Sequence, residues 1–136
     1  MDETTLTDTR NQLMGKTISA VLLRGDQGLA IVAADAIVCL PTDAECCSET
    51  WFSDIIGVQS ILGHKFQDIW VLDNPPTDVY DGRGRQEVDC AYGFEIVTDG
   101  GVCQVAYRNS SNGYYGGWCS LNNSDKWTPI TEDWSA

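Results

Sequence analysis

From Lys16 onward, apolar and polar positions alternate in short bursts, separated by glycines, prolines and acidic turns. That is the period of extended chain, whose successive side chains point to opposite faces. Residues 16–24 (Lys-Thr-Ile-Ser-Ala-Val-Leu-Leu-Arg) predict a strand, Gly25–Gly28 a turn, and Leu29–Leu40 a second β-branched run. Together they predict a hairpin ended by Pro41-Thr42-Asp43. Phe66–Asp73 predicts another strand, stopped by Asn74-Pro75-Pro76. Tyr92–Thr98 and Val102–Arg108 flank Asp99-Gly100-Gly101, the clearest hairpin in the chain. Tyr114–Leu121 predicts a further strand, pairing back through Tyr115 and Trp118.

One stretch changes period. Trp51, Ile55, Val58 and Leu62 recur at helical spacing, with Ser48 or Thr50 as a cap and Glu49 in the first turn. Gly57 weakens that helix and Gly63-His64 stops it, so one short amphipathic helix, either continuous or broken at Gly57, is predicted through Ser53–Leu62. Residues 1–14, polar and threonine-rich, predict a loose tail or a poorly ordered first turn. Residues 15–121 read as a single domain. Residues 122–136 read as an acidic extension whose Trp127, Pro129, Ile130 and Trp134 should dock on the chain's own core or on a neighbouring copy. The fold class expected is α+β, an antiparallel β-sheet of about five to seven strands with one main short helix.

Composition narrows the class. In 136 residues, 43% are hydrophobic, with five Trp and five Tyr, which is too apolar for a disordered chain and sized for one domain. No run approaches the roughly 18 apolar residues of a membrane span. The start, Met-Asp-Glu-Thr-Thr, lacks the basic and apolar regions of a secretory signal, so a cytoplasmic location is expected. Twenty acidic against eight basic residues give a net charge of −12, which repels nucleic acid and anionic membrane. Neither is an expected partner.

The same reading bears on chemistry. With reduced cysteines expected, Cys39, Cys90, Cys103 and Cys119 read as buried thiols on strands, and Cys46-Cys47 as part of an acidic turn. The single histidine, His64, and the absence of paired Cys/His spacing give no zinc pattern, so no metal or cofactor is expected. Nothing in the sequence ties His64 to Cys46 or Cys47 as base to nucleophile. No glycine-rich turn joins a strand to a helix as phosphate-cradling loops require. The expectation is a protein that is not an enzyme and has no catalytic residues.

Binding chemistry concentrates in Arg108-Asn-Ser-Ser-Asn-Gly-Tyr-Tyr-Gly-Gly-Trp118. Glycines let backbone N–H groups approach an anion, and Asn109 and Asn112 supply directional donors and acceptors. Arg108 can hold a phosphate through two parallel bonds, and Tyr114 or Tyr115 can stack a base. Neighbours on a strand face opposite ways, so only one tyrosine of the pair can do so. Arg83 and Arg85, in a chain poor in arginine, could join from another loop. The residues alone equally support an ordinary Asn-Gly turn beside sheet aromatics.

Two groups of motifs carry a resemblance. The first is Glu45-Cys46-Cys47-Ser48, then Trp51, then Asp54-Ile55-Ile56-Gly57. The second is Tyr92-Gly93-Phe94, then Thr98 and Gly101, then Arg108-Asn-Ser-Ser-Asn-Gly-Tyr-Tyr-Gly-Gly-Trp118. Over about Lys16–Trp118 the chain resembles a family of small, mostly uncharacterised proteins of phages and prophages. It is also similar to the phage anti-Thoeris sponges, oligomers that sequester cyclic ADP-ribose-type signals and some cyclic oligonucleotides without cleaving them. That resemblance implies an anti-defence protein of the infected or lysogenic bacterial cytoplasm, acting as a homo-oligomer on a small nucleotide-like ligand. It implies Arg108 and Asn109 as phosphate and ribose contacts, with Tyr114 or Tyr115 stacking the base. The alternative is an acidic inhibitor of a host defence enzyme, an anti-CRISPR-like protein or nucleic-acid mimic, for which the −12 charge speaks.

Overall fold

The apolar bursts form strands, and the strands sort into two sheets rather than one. The computed structural model describes residues 3–25, 28–41, 50–72, 90–109 and 127–135. Their order is α1 (Glu3–Leu13), β1 (Ile18–Arg24), β2 (Gly28–Ala33), β3 (Ala36–Pro41), β4 (Thr50–Ile56) and α2 (Val58–Ile61). There follow β5 (Phe66–Leu72), β6 (Cys90–Thr98), β7 (Gly101–Asn109), β8 (Thr128–Ile130) and β9 (Trp134–Ser135). A four-stranded sheet has the order β3-β2-β1-β8, and a five-stranded sheet the order β5-β6-β7-β4-β9. Every neighbouring pair is antiparallel. One core, with Ile18, Leu29 and Leu40 from the first sheet and Phe52, Phe94 and Tyr107 from the second, lies between them. The Tyr107 ring packs 6.3 Å from both Phe52 and Phe94.

This overturns the expected α+β fold of one sheet and one main helix. The chain is mostly β, with two sheets and two short helices among the described residues. Three local causes explain the difference. The run Leu29–Leu40 is interrupted at Ala34-Asp35 and folds back as β2 and β3, with Ala33 paired to Ala36. Residues 3–13, expected as a tail, form α1, which seats Leu6, Thr9 and Leu13 in the interior. Two leucines make a faint apolar stripe, and the buried Thr9 hydroxyl is satisfied by donating to the Thr5 carbonyl (2.8 Å).

The third cause lies in the predicted helix Ser53–Leu62. Most of its first half is β4, and only Val58–Ile61 is helical. A bulge falls between Phe52 and Asp54, with Ser53 buried and its hydroxyl donating to the Ala106 carbonyl (3.4 Å). The extra residue shifts the alternation. Phe52 and Ile55 therefore face the core, while Trp51, Asp54 and Ile56 point to the opposite, outer face. The four-residue spacing from Trp51 to Ile55 imitates a helix but straddles the bulge.

The outer edge of the five-stranded sheet, β5, is held by α1. Arg10 donates through Nε to Asp68 Oδ1 (2.7 Å) and through Nη2 to the Ile69 carbonyl (2.6 Å). Asp68 Oδ1 in turn accepts from the Ile69 N–H (2.8 Å). Both backbone groups of Ile69 on that side are thus occupied by side chains. Across the outer face, Trp70, Glu95, Gln104 and Ile56 form one register row over β5, β6, β7 and β4. Glu95 accepts from Trp70 Nε1 (2.8 Å) and Gln104 Nε2 (3.1 Å).

Candidate functional site

The end of the five-stranded sheet away from the Asp99–Gly100 turn gathers the residues of the sequence motifs. In register, Arg108 of β7 lies between Trp51 of β4 and Ala91 of β6. One step on, Asn109 lies between Thr50 and Cys90. Neighbouring strands are about 4.8 Å apart, so Thr50, Asn109 and Cys90 fall within about 10 Å of one another. Thr50 follows residues 42–49, Cys90 follows residues 73–89, and Asn109 precedes residues 110–126. Three segments of the chain attach at one short row.

Of the predicted ligand contacts, Arg108 and Asn109 stand at this row. Arg83, Arg85, Asn112, Tyr114 and Tyr115 lie outside the described residues, as do Cys46, Cys47, Cys119 and the predicted strand Tyr114–Leu121. Arg83 and Arg85 belong to the segment that ends at Cys90, and Asn112, Tyr114 and Tyr115 to the one that begins after Asn109.

Trp51 is the residue that the sequence reading misplaced. It is 0% exposed, yet it is not part of the core cluster between the sheets, because it sits on the outer face beside Arg108. Ala106 and Gly93, neighbours on the same face, are also buried. The outer face is therefore not uniform. Near the β6–β7 turn it exposes Val102 and Ile56, whereas at the motif end it excludes water around a large aromatic ring. Alternation read with a bulge at Ser53 puts Trp51 on the face opposite Phe52, but its place across from Arg108 follows only from the pairing of β4 with β7.

The remaining polar chemistry is elsewhere. His64 Nδ1 lies 3.2 Å from Asp99 Oδ1, which also accepts from the Lys65 N–H (3.1 Å). This half-exposed pair pins the β6–β7 turn at the far end of the sheet. Among the described residues, no group of three or more His, Cys, Asp or Glu side chains converges. Cys39 is half-buried on β3 and Cys103 is buried on β7, both as free thiols. Burial, helped by the nearby charge of Asp133, pushes the Cys103 thiol up to about 12. Cys103 should therefore resist alkylation in the native protein at pH 8 and react once the chain is unfolded, as mass spectrometry of labelled peptides would register. A raised thiol pKa favours the fold fully below the unfolded value of 9.0, and that contribution is lost as pH rises toward about 12. Equal labelling of native and unfolded Cys103 would contradict this.

A family described as a domain of unknown function (DUF7448) matches residues 11–121. The chain belongs to that family. An uncharacterized protein of Acanthamoeba polyphaga mimivirus is 35% identical over 89 residues, which are 61% of this chain and 66% of that protein. The chain thus spans slightly less than two thirds of the viral relative's length. No solved structure matches. The family match contains the whole row Thr50–Asn109–Cys90, the segments 42–49 and 73–89 and the third segment as far as residue 121, and it stops before β8 and β9. No helix among the described residues is long and apolar enough to cross a membrane.

Proposed function

We propose that this protein is a sponge: it removes a cyclic nucleotide signal, such as a cyclic ADP-ribose isomer or a cyclic oligonucleotide, by binding without cleaving it. The observation that carries this reading is the register of Arg108 and Asn109 between Trp51-Thr50 and Ala91-Cys90. Cys90 directly follows the segment that holds Arg83 and Arg85, and Asn109 directly precedes the one that holds Asn112, Tyr114 and Tyr115. Arginines take the phosphates, Asn109 and Asn112 the ribose hydroxyls, and one tyrosine stacks the base. A homo-oligomer acting as an anti-defence protein in the cytoplasm of an infected or lysogenic bacterium fits the resemblance to phage proteins.

The test is thermal unfolding against cyclic ADP-ribose isomers and cyclic di- and trinucleotides. Ligand at one hundred times Kd adds about 2.7 kcal/mol to the native state. For a chain of this size that corresponds to a rise in Tm of roughly 10 °C. Arg108→Ala should abolish the shift, and chromatography should return the ligand unchanged. No shift with any of these compounds would exclude the sponge.

The −12 charge favours a second reading, an acidic inhibitor of a host defence enzyme. That reading expects salt-sensitive binding to a basic protein surface, nearly unaffected by Arg108→Ala and disrupted by reversing several surface acids.

A further inference from the structure

Acidic residues are divided unevenly between the two sheets. β4, β5 and β6 carry Asp54, Asp68 and Glu95, whereas β1, β2, β3 and β8 carry no acidic residue, and Arg24 is their one charged side chain. The strands Ile18–Arg24, Gly28–Ala33 and Ala36–Pro41 read as nearly unbroken apolar runs. A sheet with one face in water alternates apolar and polar residues, while unbroken runs belong to sheets covered on both faces. The second sheet covers the inner face, through Val21, Ile31 and Val38. The outer face has the composition of an inner one.

The register sets out that outer face. Pro129, Leu22, Ala30 and Cys39 form one row across β8, β1, β2 and β3, and Ala20, Val32 and Ile37 form the next. None of these side chains belongs to the core between the sheets. At the Arg24 end the chain itself closes the face. A Cβ on Gly28 would come 3.0 Å from the Trp127 ring, and the Arg24 guanidinium stands 5.4 Å over that ring. Ala30 is buried, and Leu22, Val32 and Cys39 are half-buried. The face opens toward the Ala34-Asp35 turn, where Ile37 is 49% exposed.

Charge selects the occupant. At −12, two copies of this chain repel wherever their acids oppose, as Asp54 and Glu95 would across the outer face of the five-stranded sheet. On the outer face of the four-stranded sheet, copies meet without opposing acids, and a charged partner finds nothing to pair with. An uncharged apolar face is also its own complement, as a two-fold contact between identical patches requires.

We propose that two copies of this chain pack through the outer faces of their four-stranded sheets, with Ile37 and Cys39 of each copy inside the contact. Four strands make the face about 19 Å wide, and its two open rows run about 13 Å along the strands, roughly 250 Å2 in plan. Stable complexes bury about 800 Å2 on each partner, so this dimer is weak and reversible. It gives the homo-oligomer of the sponge reading a surface without resting on that reading, because Arg108 lies on the other sheet.

The experiment is sedimentation of the full chain from about 10 μM to about 1 mM, over which monomer gives way to dimer. Added salt strengthens the dimer, since screening removes the repulsion between two acidic chains and leaves the apolar contact; an interface of ion pairs would weaken instead. Alkylation of Cys39, followed by peptide mass spectrometry, slows as the dimer forms. Ile37→Glu sets two acids against each other and raises the dissociation constant about tenfold or more, and its Cys39 reacts at one rate throughout. Ile37→Ser, milder in effect, carries the comparison if circular dichroism shows Ile37→Glu to be unfolded. Val102→Glu, on the outer face of the other sheet, leaves the dimer in place, and so does Arg108→Ala, which tests the sponge separately. A chain still monomeric at about 1 mM gives the face to a different partner and overturns the proposal. A dimer that salt weakens, that the Ile37 variants leave intact, or that Val102→Glu weakens as much, overturns it too.

Discussion

Trp51→Ala should destabilise the protein by about 3–5 kcal/mol, the cost of truncating a fully enclosed tryptophan. Domains of this kind are stable by only about 5–15 kcal/mol, so urea denaturation should show a much lower midpoint at unchanged slope. The comparison that gives the result its meaning is Trp70→Ala. Both tryptophans sit on the outer face of the five-stranded sheet, but Trp70 is 42% exposed and Trp51 is 0% exposed. Removing Trp70 gives up a partly solvated ring and one bond to Glu95, an expected cost of about 1 kcal/mol. Equal losses for the two would mean that the motif end of that face is no better packed than the rest. In the sponge reading Trp51→Phe carries further information. It retains an aromatic ring and most of the volume, so a loss of ligand-induced stabilisation larger than its loss of stability would place the ring against the ligand.

Gly57→Ala should cost about 3 kcal/mol or more, a large effect for the addition of one methyl group. Gly57 joins β4 to α2 with φ of 95° and ψ of 21°, a left-handed conformation that side chains resist. A Cβ there would also run into the Val102 carbonyl oxygen, which belongs to the backbone of β7 and cannot rotate away. Strain of about 1–3 kcal/mol and a forced backbone shift of similar size act together. Gly63 provides the control. Its φ is 80°, but nothing lies within 4 Å of the added carbon, so Gly63→Ala should cost only about 1 kcal/mol. If the two alanines are equally tolerated in denaturant titrations, the close approach of Gly57 to β7 is not a constraint on the fold.

These residues also show what the sequence discloses and what it hides. The β6–β7 hairpin was legible because Asp99-Gly100-Gly101 is a turn by local chemistry, whatever lies around it. The strand β5 was legible because alternation and the proline pair after it agree. The sorting of strands into two sheets was not, since alternation reports that a strand has a buried face but not which sheet that face belongs to. The helix placed on Ser53–Leu62 failed at a single inserted residue, because Ser53 lets Trp51 and Ile55 share a spacing without sharing a side. For α1, the anchoring comes from contacts across the fold, Arg10 to Asp68 and Ile69, and no local window contains both ends of them. At the candidate site, Arg108 and Asn109 were found from residue type alone, whereas Trp51 as their cross-strand neighbour required the pairing of β4 with β7.

The arginine that holds α1 to β5 has a consequence for dose. In the sponge reading the protein must accumulate to at least the amount of its signal, and a seven-residue strand at the rim of a sheet is a template on which crowded chains can polymerise. By occupying the Ile69 carbonyl, while Asp68 occupies its N–H, Arg10 interrupts that template near its middle. Arg10→Ala should therefore matter less in a dilute cuvette than in an overexpressing cell, where the fraction lost to the pellet would measure how far solubility at working abundance depends on one side chain.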